Sequence, residues 1–275
     1  TDPTTVALDL DGHTLELGPA SDALIVGTDR SGALDLGGGT LVVRATNEGD
    51  IGITGFVRST DESLKSIEVS AGRARLGASV TMAQIARSEK LAAIAPAARA
   101  VGGPAVRNMA TVGGNLLAAS PYGDFAVALV ALRATIHFAE SEMEIDEFLE
   151  ARDGIVAERG IVTGVSFVVP AAGEFRFSKV SRVKPKGVSV LSIAAVIKGS
   201  GTVESAGIGL GAMADRPMRA KAAEAALAGS DLSEEGIAEA VRVIGEGTAP
   251  ATDPVASSWY RAEVLPVHFR RLMLG

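Results

Sequence analysis

The chain's 275 residues carry 26 Lys and Arg against 33 Asp and Glu, a net charge of −7, and no cysteine. An acidic chain repels phosphate backbones, which argues against nucleic acid as a partner; the missing cysteines exclude disulfides, thiolate catalysis, cysteine-ligated zinc and a cysteine-bound iron–sulfur cluster on this chain. With 47% hydrophobic residues the chain can bury a core at a length comfortable for two domains, and with only 4% aromatics that core must be built from Ala, Val, Leu and Ile.

Three histidines, His13, His137 and His268, lie far apart, and no H-x-x-x-H or H-E-x-x-H occurs, so a histidine metal site is not expected. Redox chemistry here would need an organic cofactor or a partner chain. No apolar run approaches the roughly 20 residues that cross a bilayer, so no transmembrane segment is expected. Thr1-Asp2-Pro3-Thr4 lacks the basic and apolar regions of a secretory signal, and a cytoplasmic protein is expected.

In chain order, short β-like runs alternate with glycine turns over the first 60 or so residues: Val6–Leu8, Leu15–Leu17, Ala23–Val26, Leu41–Arg44 and Ile51–Phe56. Ile67–Val69 and Ala74–Leu76 flank Gly72 as a hairpin. Thr81 and Gln84 have capping-box spacing and open a helix with Met82, Ile85 and Ala86 at helical intervals. A second helix starts near Pro96 and ends at Gly102-Gly103; a third, from Asp124 through Leu132, is almost wholly apolar and should be buried. A strand near Thr135–Phe138, a polar helix near Ile145–Arg152 and a strand over Ile161–Val169 lead to a domain boundary at Ala171-Ala172-Gly173. Three strands follow, Phe175–Val183, Val188–Ile197 and Ala206–Leu210, then helices over Pro217–Leu227, Glu234–Ile244 capped by Ser233, and Trp259–Leu274 capped by Ser257 or Ser258 and kinked at Pro266. A strand block followed by a helix block reads as α+β.

Two glycine-rich segments stand out. In Leu36-Gly37-Gly38-Gly39-Thr40-Leu41, three consecutive glycines each cost about 0.5–1 kcal/mol of backbone entropy. They serve either an ordinary turn or a concavity of backbone N–H groups that takes an anion. The second segment is Ala110-Thr111-Val112-Gly113-Gly114-Asn115, with Asp124 nine residues further on. Small residues let the backbone touch a phosphate oxygen, and Thr111 and Asn115 add a hydroxyl and an amide. Asp124 is explained either as a helix cap or as an acceptor for ribose or ribityl hydroxyls, since a carboxylate beside a phosphate is otherwise repulsive.

This second segment, followed by Asp124, resembles the FAD-binding subunits of molybdenum hydroxylases, such as the medium subunits of carbon monoxide dehydrogenases and the flavin domains of xanthine dehydrogenases. The resemblance covers nearly the whole chain. Leu36–Thr40 matches the family's first pyrophosphate loop and Leu76–Thr81 its strand-to-helix junction; Phe177–Arg182, Ile208–Ala212, Pro217–Ala220 and Tyr260-Arg261 match landmarks of its C-terminal part.

The resemblance implies an α+β fold: a two-subdomain, PCMH-like FAD-binding domain over residues 1–170 (about 1–55 and 56–170), then residues 171–275 as a C-terminal domain with a three-stranded antiparallel sheet and a helix bundle. It implies FAD as cofactor, with Leu36–Leu41 and Thr111–Asn115 on the pyrophosphate, Asp124 on a sugar or ribityl hydroxyl, and Val101 and Val162 against the cofactor. It implies no catalytic residue and no metal ligand on this chain. The [2Fe-2S] clusters and the molybdenum cofactor would lie on a small and a large partner subunit, as a dimer of heterotrimers, and electrons would pass through FAD to an external acceptor. Two positions depart from the family: Leu41 stands where Asp or Ser is frequent, and Gly187 where carbon monoxide dehydrogenase relatives carry an aromatic beside the flavin ring. A stand-alone FAD oxidoreductase and a non-catalytic nucleotide-binding module are the other readings, although no base and substrate pocket is evident for the first.

By the period of two, Phe175, Phe177 and Lys179 share one strand face. Lys179 is either a cation near the flavin's pyrimidine end or a lysine extending its head to solvent. Arg107 either neutralises pyrophosphate or pairs on the surface. The histidines read as structural or exposed, Glu140–Glu147 as a solvated face, and Trp259 and Tyr260 as anchors of the last helix.

Overall fold

The computed structural model describes residues 15–17, 41–43, 62–183 and 187–275. Strands β1 (Leu15–Leu17) and β2 (Leu41–Val43) pair in parallel, where short strands were expected. The other early strands and the glycine loop 36–40 lie outside the described residues.

A five-stranded antiparallel sheet follows, built from β3 (Ile67–Ser70), β4 (Arg73–Gly77), β5 (Thr135–His137), β6 (Glu142–Glu144) and β7 (Gly164–Val168) in the order β3-β4-β7-β5-β6. The β3–β4 hairpin turns at Ala71 and Gly72, with φ of 48° and 75°. Two positive φ values in a two-residue loop match the right-handed twist of the strands, which is why a glycine sits there.

Helix α1 (Met82–Arg87) starts on the expected capping box: the Gln84 N–H donates to Thr81 Oγ1, and the Thr81 N–H to Gln84 Oε1. Then come α2 (Ala95–Ala100), α3 (Pro104–Met109), α4 (Val112–Leu116), α5 (Asp124–Ala131) and α6 (Ile145–Arg159).

The second sheet has four strands where three were expected: β8 (Phe175–Ser181), β9 (Ser189–Lys198), β10 (Ser205–Gly211) and β11 (Met218–Arg219), ordered β11-β10-β9-β8 and antiparallel throughout. The fourth strand takes residues expected to open a helix. Met218 and Arg219 pair with Leu210 and Gly209, and α7 (Lys221–Leu227) begins only after them. Helices α8 (Ala238–Val243) and α9 (Ser258–Leu274) complete the chain. Ser233 caps the turn before α8, accepting from the Gly236 N–H, and Ser257 caps α9 through the Tyr260 N–H. Helix α9 continues through Pro266.

The second sheet is covered on both faces. On one side, Leu191, Ile193, Ala195 and Ile197 of β9 pack with α7–α9. On the other, Ala194 and Val196, with Phe175 and Phe177, join the core of the preceding residues. One hydrophobic core therefore runs across the turn at Ala171–Glu174. Its centre is α5, all eight residues of which are buried. Contact there is backbone on backbone. A Cβ at Gly207 would fall 2.2 Å from the Ala131 carbonyl oxygen and one at Gly209 2.3 Å from that of Val127, so only glycine lets β10 approach α5 this closely.

Candidate functional site

Thr111–Asn115, expected as a loop, forms the short helix α4 with its N-cap. Thr111 Oγ1 accepts from the Gly114 N–H at 3.1 Å, and the Asn115 side-chain amide donates to the Thr111 carbonyl at 2.9 Å. Long-range bonds hold the segment down: the Met82 N–H donates to Ala110 O, the Val112 N–H to Val80 O and the Gly113 N–H to Ala78 O, all at 2.9 Å. These bonds hold two glycines helical against their low propensity. Neither Gly113 nor Gly114 has a positive φ, so backbone strain is not the reason for them. An added Cβ at Gly113 would meet Ala78 at 3.4 Å, and one at Gly114 would meet only Thr111 Oγ1, at 3.2 Å. Gly114 is exposed, so the backbone there is bare and open to a ligand.

The far end of α4 touches the start of α5. Gly123 precedes Asp124 with φ 88°, and a Cβ on it would fall 2.9 Å from the Asn115 carbonyl oxygen. Asp124 is buried at the first position of α5, where the helix dipole favours a carboxylate. Both of its oxygens are engaged from the second sheet: Oδ2 accepts from Lys179 Nζ at 2.7 Å, and Oδ1 accepts from Ser189 Oγ at 2.5 Å. Lys179 Nζ also donates to Ala100 O at 3.0 Å, at the end of α2 and next to half-buried Val101. Lys179 therefore shares the inward face of β8 with Phe175 and Phe177, as expected, but its head meets a buried carboxylate rather than solvent.

Val162 is buried and belongs to the core beside α5. Its neighbour Thr163 accepts from the Ala78 N–H, and Ala78 in turn accepts from Gly113. The fold thus gathers Val101, Thr111–Asn115, Asp124, Val162 and Lys179 into one connected region. Leu41 opens β2, and Leu36–Thr40 lie outside the described residues.

Arg107 does not point to a phosphate site. Its guanidinium donates to the carbonyls of Arg99, Val101 and Gly102, satisfying acceptors left over at the end of α2. At Gly187 a Cβ would lie 2.3 Å from the Val183 carbonyl oxygen, so the backbone turn itself excludes a side chain there. His137 is buried, its Nε2 2.8 Å from Ser166 Oγ and its Nδ1 3.3 Å from Glu142 Oε2. Burial first, then the guanidinium of Arg75, pushes its pKa below the ordinary 6.5; Arg73 adds to this and Glu142 opposes it.

Trp259 and Tyr260, expected to anchor α9, are exposed; Trp259 is 69% accessible. The anchor is the next residue, Arg261, 1% accessible, whose guanidinium is gripped by both oxygens of Asp253 and also donates to Val190 O. A buried arginine is tolerable only with such full pairing. A second buried network, also missed in the sequence, joins the two sheets' helices. Glu224 accepts from the Ile208 N–H and from Arg219 and Arg133, while Arg219 also donates to Asp146 on α6. Charged residues at ordinary surface spacing carry no signal of such burial.

Known proteins align with this architecture. Residues 19–171 match the family model described as the FAD binding domain in molybdopterin dehydrogenase, and residues 176–275 match the CO dehydrogenase flavoprotein C-terminal domain. The glyceraldehyde dehydrogenase medium chain of Sulfolobus acidocaldarius is 29% identical over 62% of this chain and 63% of its own length, so the match spans less than two thirds of that relative. The carbon monoxide dehydrogenase medium chain of Afipia carboxidovorans is 26% identical over 71% of this chain and 72% of that one. A solved structure of reconstituted CO dehydrogenase from Oligotropha carboxidovorans superposes with a TM-score of 0.72 at 25% identity, covering 79% of each chain. The chain belongs to the molybdopterin-dehydrogenase family of FAD-binding oxidoreductase components, with the CO dehydrogenase flavoprotein domain at its C-terminal end.

Proposed function

We propose that this chain is the FAD-binding electron-transfer subunit of a heteromeric molybdenum hydroxylase, taking electrons from iron–sulfur clusters on a partner subunit and passing them to an external acceptor. The observation that carries this reading is the convergence of the exposed Gly114 of α4 with Asp124 and Lys179 in one region. Gly114 leaves its backbone bare, as close approach of a pyrophosphate oxygen requires. Each carboxylate oxygen of Asp124 accepts one protein hydrogen bond and retains a lone pair for a ligand hydroxyl. In this reading Leu36–Leu41 and Thr111–Asn115 hold the pyrophosphate, Asp124 takes a sugar or ribityl hydroxyl, and Val101 and Val162 line the cofactor. Residues 1–170 form the FAD-binding unit and residues 171–275 the C-terminal domain.

FAD, when bound, supplies the electron-accepting ring; the chain supplies its binding, orientation and electrostatic surroundings. No cysteine stands anywhere in these 275 residues, so thiolate-held clusters would lie outside them. The small subunit would carry [2Fe-2S] clusters and the large one the molybdenum cofactor, which chooses the substrate, in a dimer of heterotrimers. Among the described residues no helix is long and apolar enough to cross a membrane, and we place the complex in the cytoplasm.

The test begins with the purified chain incubated with FAD. It should take up one flavin, show flavin absorbance bands and release all of the colour on acid precipitation. Affinity purification from the native host should bring down an iron–sulfur and a molybdenum subunit. A chain that remains colourless with saturating FAD overturns the assignment, as does robust substrate hydroxylation by the isolated chain.

A further inference from the structure

Ser189 is a residue that no motif in the sequence marks, yet it is 1% accessible and its hydroxyl donates to Asp124 Oδ1 at 2.5 Å. Its orientation is unexpected on strand geometry. Along β9, Leu191, Ile193, Ala195 and Ile197 face the core against α7–α9, while Ala194 and Val196 face the core around α5. Strict alternation would put Ser189 with Leu191, on the sheet face away from Asp124.

The ladder to β8 breaks that alternation. Val180 stands opposite Leu191, but Ser181 stands opposite Ser189, so β9 holds one residue, Val190, more than its partner. A bulge of this kind re-aims the side chains beyond it. The carbonyl of Val190 accepts from Arg261 Nε at 2.8 Å, and Arg261 is itself clasped by Asp253. The last helix thus secures the bulge, and the bulge turns Ser189 onto Asp124.

We propose that Ser189 is a positioning residue of the cofactor site: its hydroxyl fixes the Asp124 carboxylate, and with it the Lys179 ammonium on the opposite oxygen, in the orientation that receives the flavin nucleotide. This rests on the reading of Asp124 as a residue that faces FAD. Without the hydroxyl, the carboxylate is free to rotate toward Lys179 and present neither oxygen correctly. The sequence of dependence runs from Arg261 through the bulge to Ser189, and from Ser189 to Asp124.

The experiment is FAD titration of the full-length apoprotein, followed by flavin fluorescence, for Ser189→Ala, Ser189→Thr, Asp124→Ala and the Ser189→Ala/Asp124→Ala double variant, with thermal melts of each apoprotein. Ser189→Ala should raise the Kd for FAD about tenfold, the effect of one hydrogen bond to a charged group. Ser189→Thr, which keeps the hydroxyl, should restore affinity. The double variant should bind no more weakly than Asp124→Ala alone, because Ser189 acts only through Asp124. Should Ser189→Ala fail to fold, Ser189→Cys keeps the volume with a weaker donor and is judged by the same criteria. Native affinity in Ser189→Ala beside weakened binding in Asp124→Ala overturns the proposal, as do fully multiplicative losses in the double variant. Native affinity in Asp124→Ala overturns the reading of Asp124 itself.

Discussion

Lys179 Nζ lies 2.7 Å from Asp124 Oδ2, joining two residues 55 positions apart, each a candidate contact of the cofactor. Their side chains are 14% and 8% accessible, so the pair is a buried one that ties the second sheet to the start of α5. Removing one member of such a pair leaves an uncompensated charge, at a cost of about 3–5 kcal/mol. Lys179→Met should lower stability by that amount in denaturant melts of the apoprotein, and adding Asp124→Asn should recover much of the loss. Equal stability of Lys179→Met and the native chain would mean that the pair does not form in solution.

The same pair is neutral as a unit, which changes the expected effect on a nearby flavin. Lys179→Met leaves a net negative charge and should lower the reduction potential; Asp124→Asn leaves a net positive charge and should raise it, by Coulomb interaction with the charge gained on reduction. Spectroelectrochemical titration of the two FAD-loaded variants reads the two shifts. Shifts of the same sign in both variants would place the pair away from the ring.

Gly114→Val should fold normally and bind FAD poorly. A Cβ added there meets only Thr111 Oγ1, at 3.2 Å, and the residue has no positive φ. The protein therefore tolerates it, whereas a ligand oxygen close to the backbone does not. Displacing two charge-assisted hydrogen bonds would reduce affinity by roughly 10²–10⁴-fold. Asn115→Ala should give a weaker form of the same defect. FAD titration with circular dichroism as the folding control decides; full affinity in Gly114→Val would remove α4 from the pyrophosphate site.

His137 makes stability depend on mild acid. Its folded pKa lies below the ordinary 6.5, chiefly through burial and then Arg75, so the unfolded chain takes up a proton that the folded one refuses. The stability held by the neutral imidazole is complete above about 6.5 and is lost as pH falls through the lower folded value. Melting temperature should drop as pH falls below about 6.5, and His137→Gln should show a shallower drop there. Identical slopes would assign the effect to other groups.

Ala71 holds φ 48° in the β3–β4 turn, a conformation that asparagine and glycine adopt at lower cost. Ala71→Asn should stabilise the chain by about 0.5–1 kcal/mol, seen as a higher denaturation midpoint with an unchanged m-value. A lower midpoint would indicate that the exposed turn makes a contact the asparagine disrupts.

Local features were legible wherever the physics is local. The Thr81–Gln84 capping box, the Gly72 hairpin and the wholly buried α5 each depend on residues a few positions apart, and each appears as expected. Elements were misread where distant partners override propensity, and the Glu140–Glu147 stretch, expected as a solvated face, holds strand β6 with Met143 buried. Gly113-Gly114 is helical since Val80, Ala78 and Met82 supply hydrogen bonds from another segment, and Met218–Arg219 is a strand since β10 offers an open edge.

The amino-acid sequence by itself determined the cofactor class, through the resemblance carried by Ala110–Asn115 and Asp124, and it excluded a cysteine-held cluster within these 275 residues. Only the tertiary structure decided what Asp124, Lys179 and Ser189 do to one another. Asp124 is 55 residues from Lys179 and 65 from Ser189. They meet because Gly207, Gly209 and Gly211 of β10, where a Cβ would strike Ala131 or Val127, let α5 rest on the second sheet, and because one extra residue in β9 turns Ser189 to the other face. A change of strand register leaves no periodic trace in sequence, and the alternate glycines 207, 209 and 211 do not say which helix packs on them, since that is set by what lies on the far side.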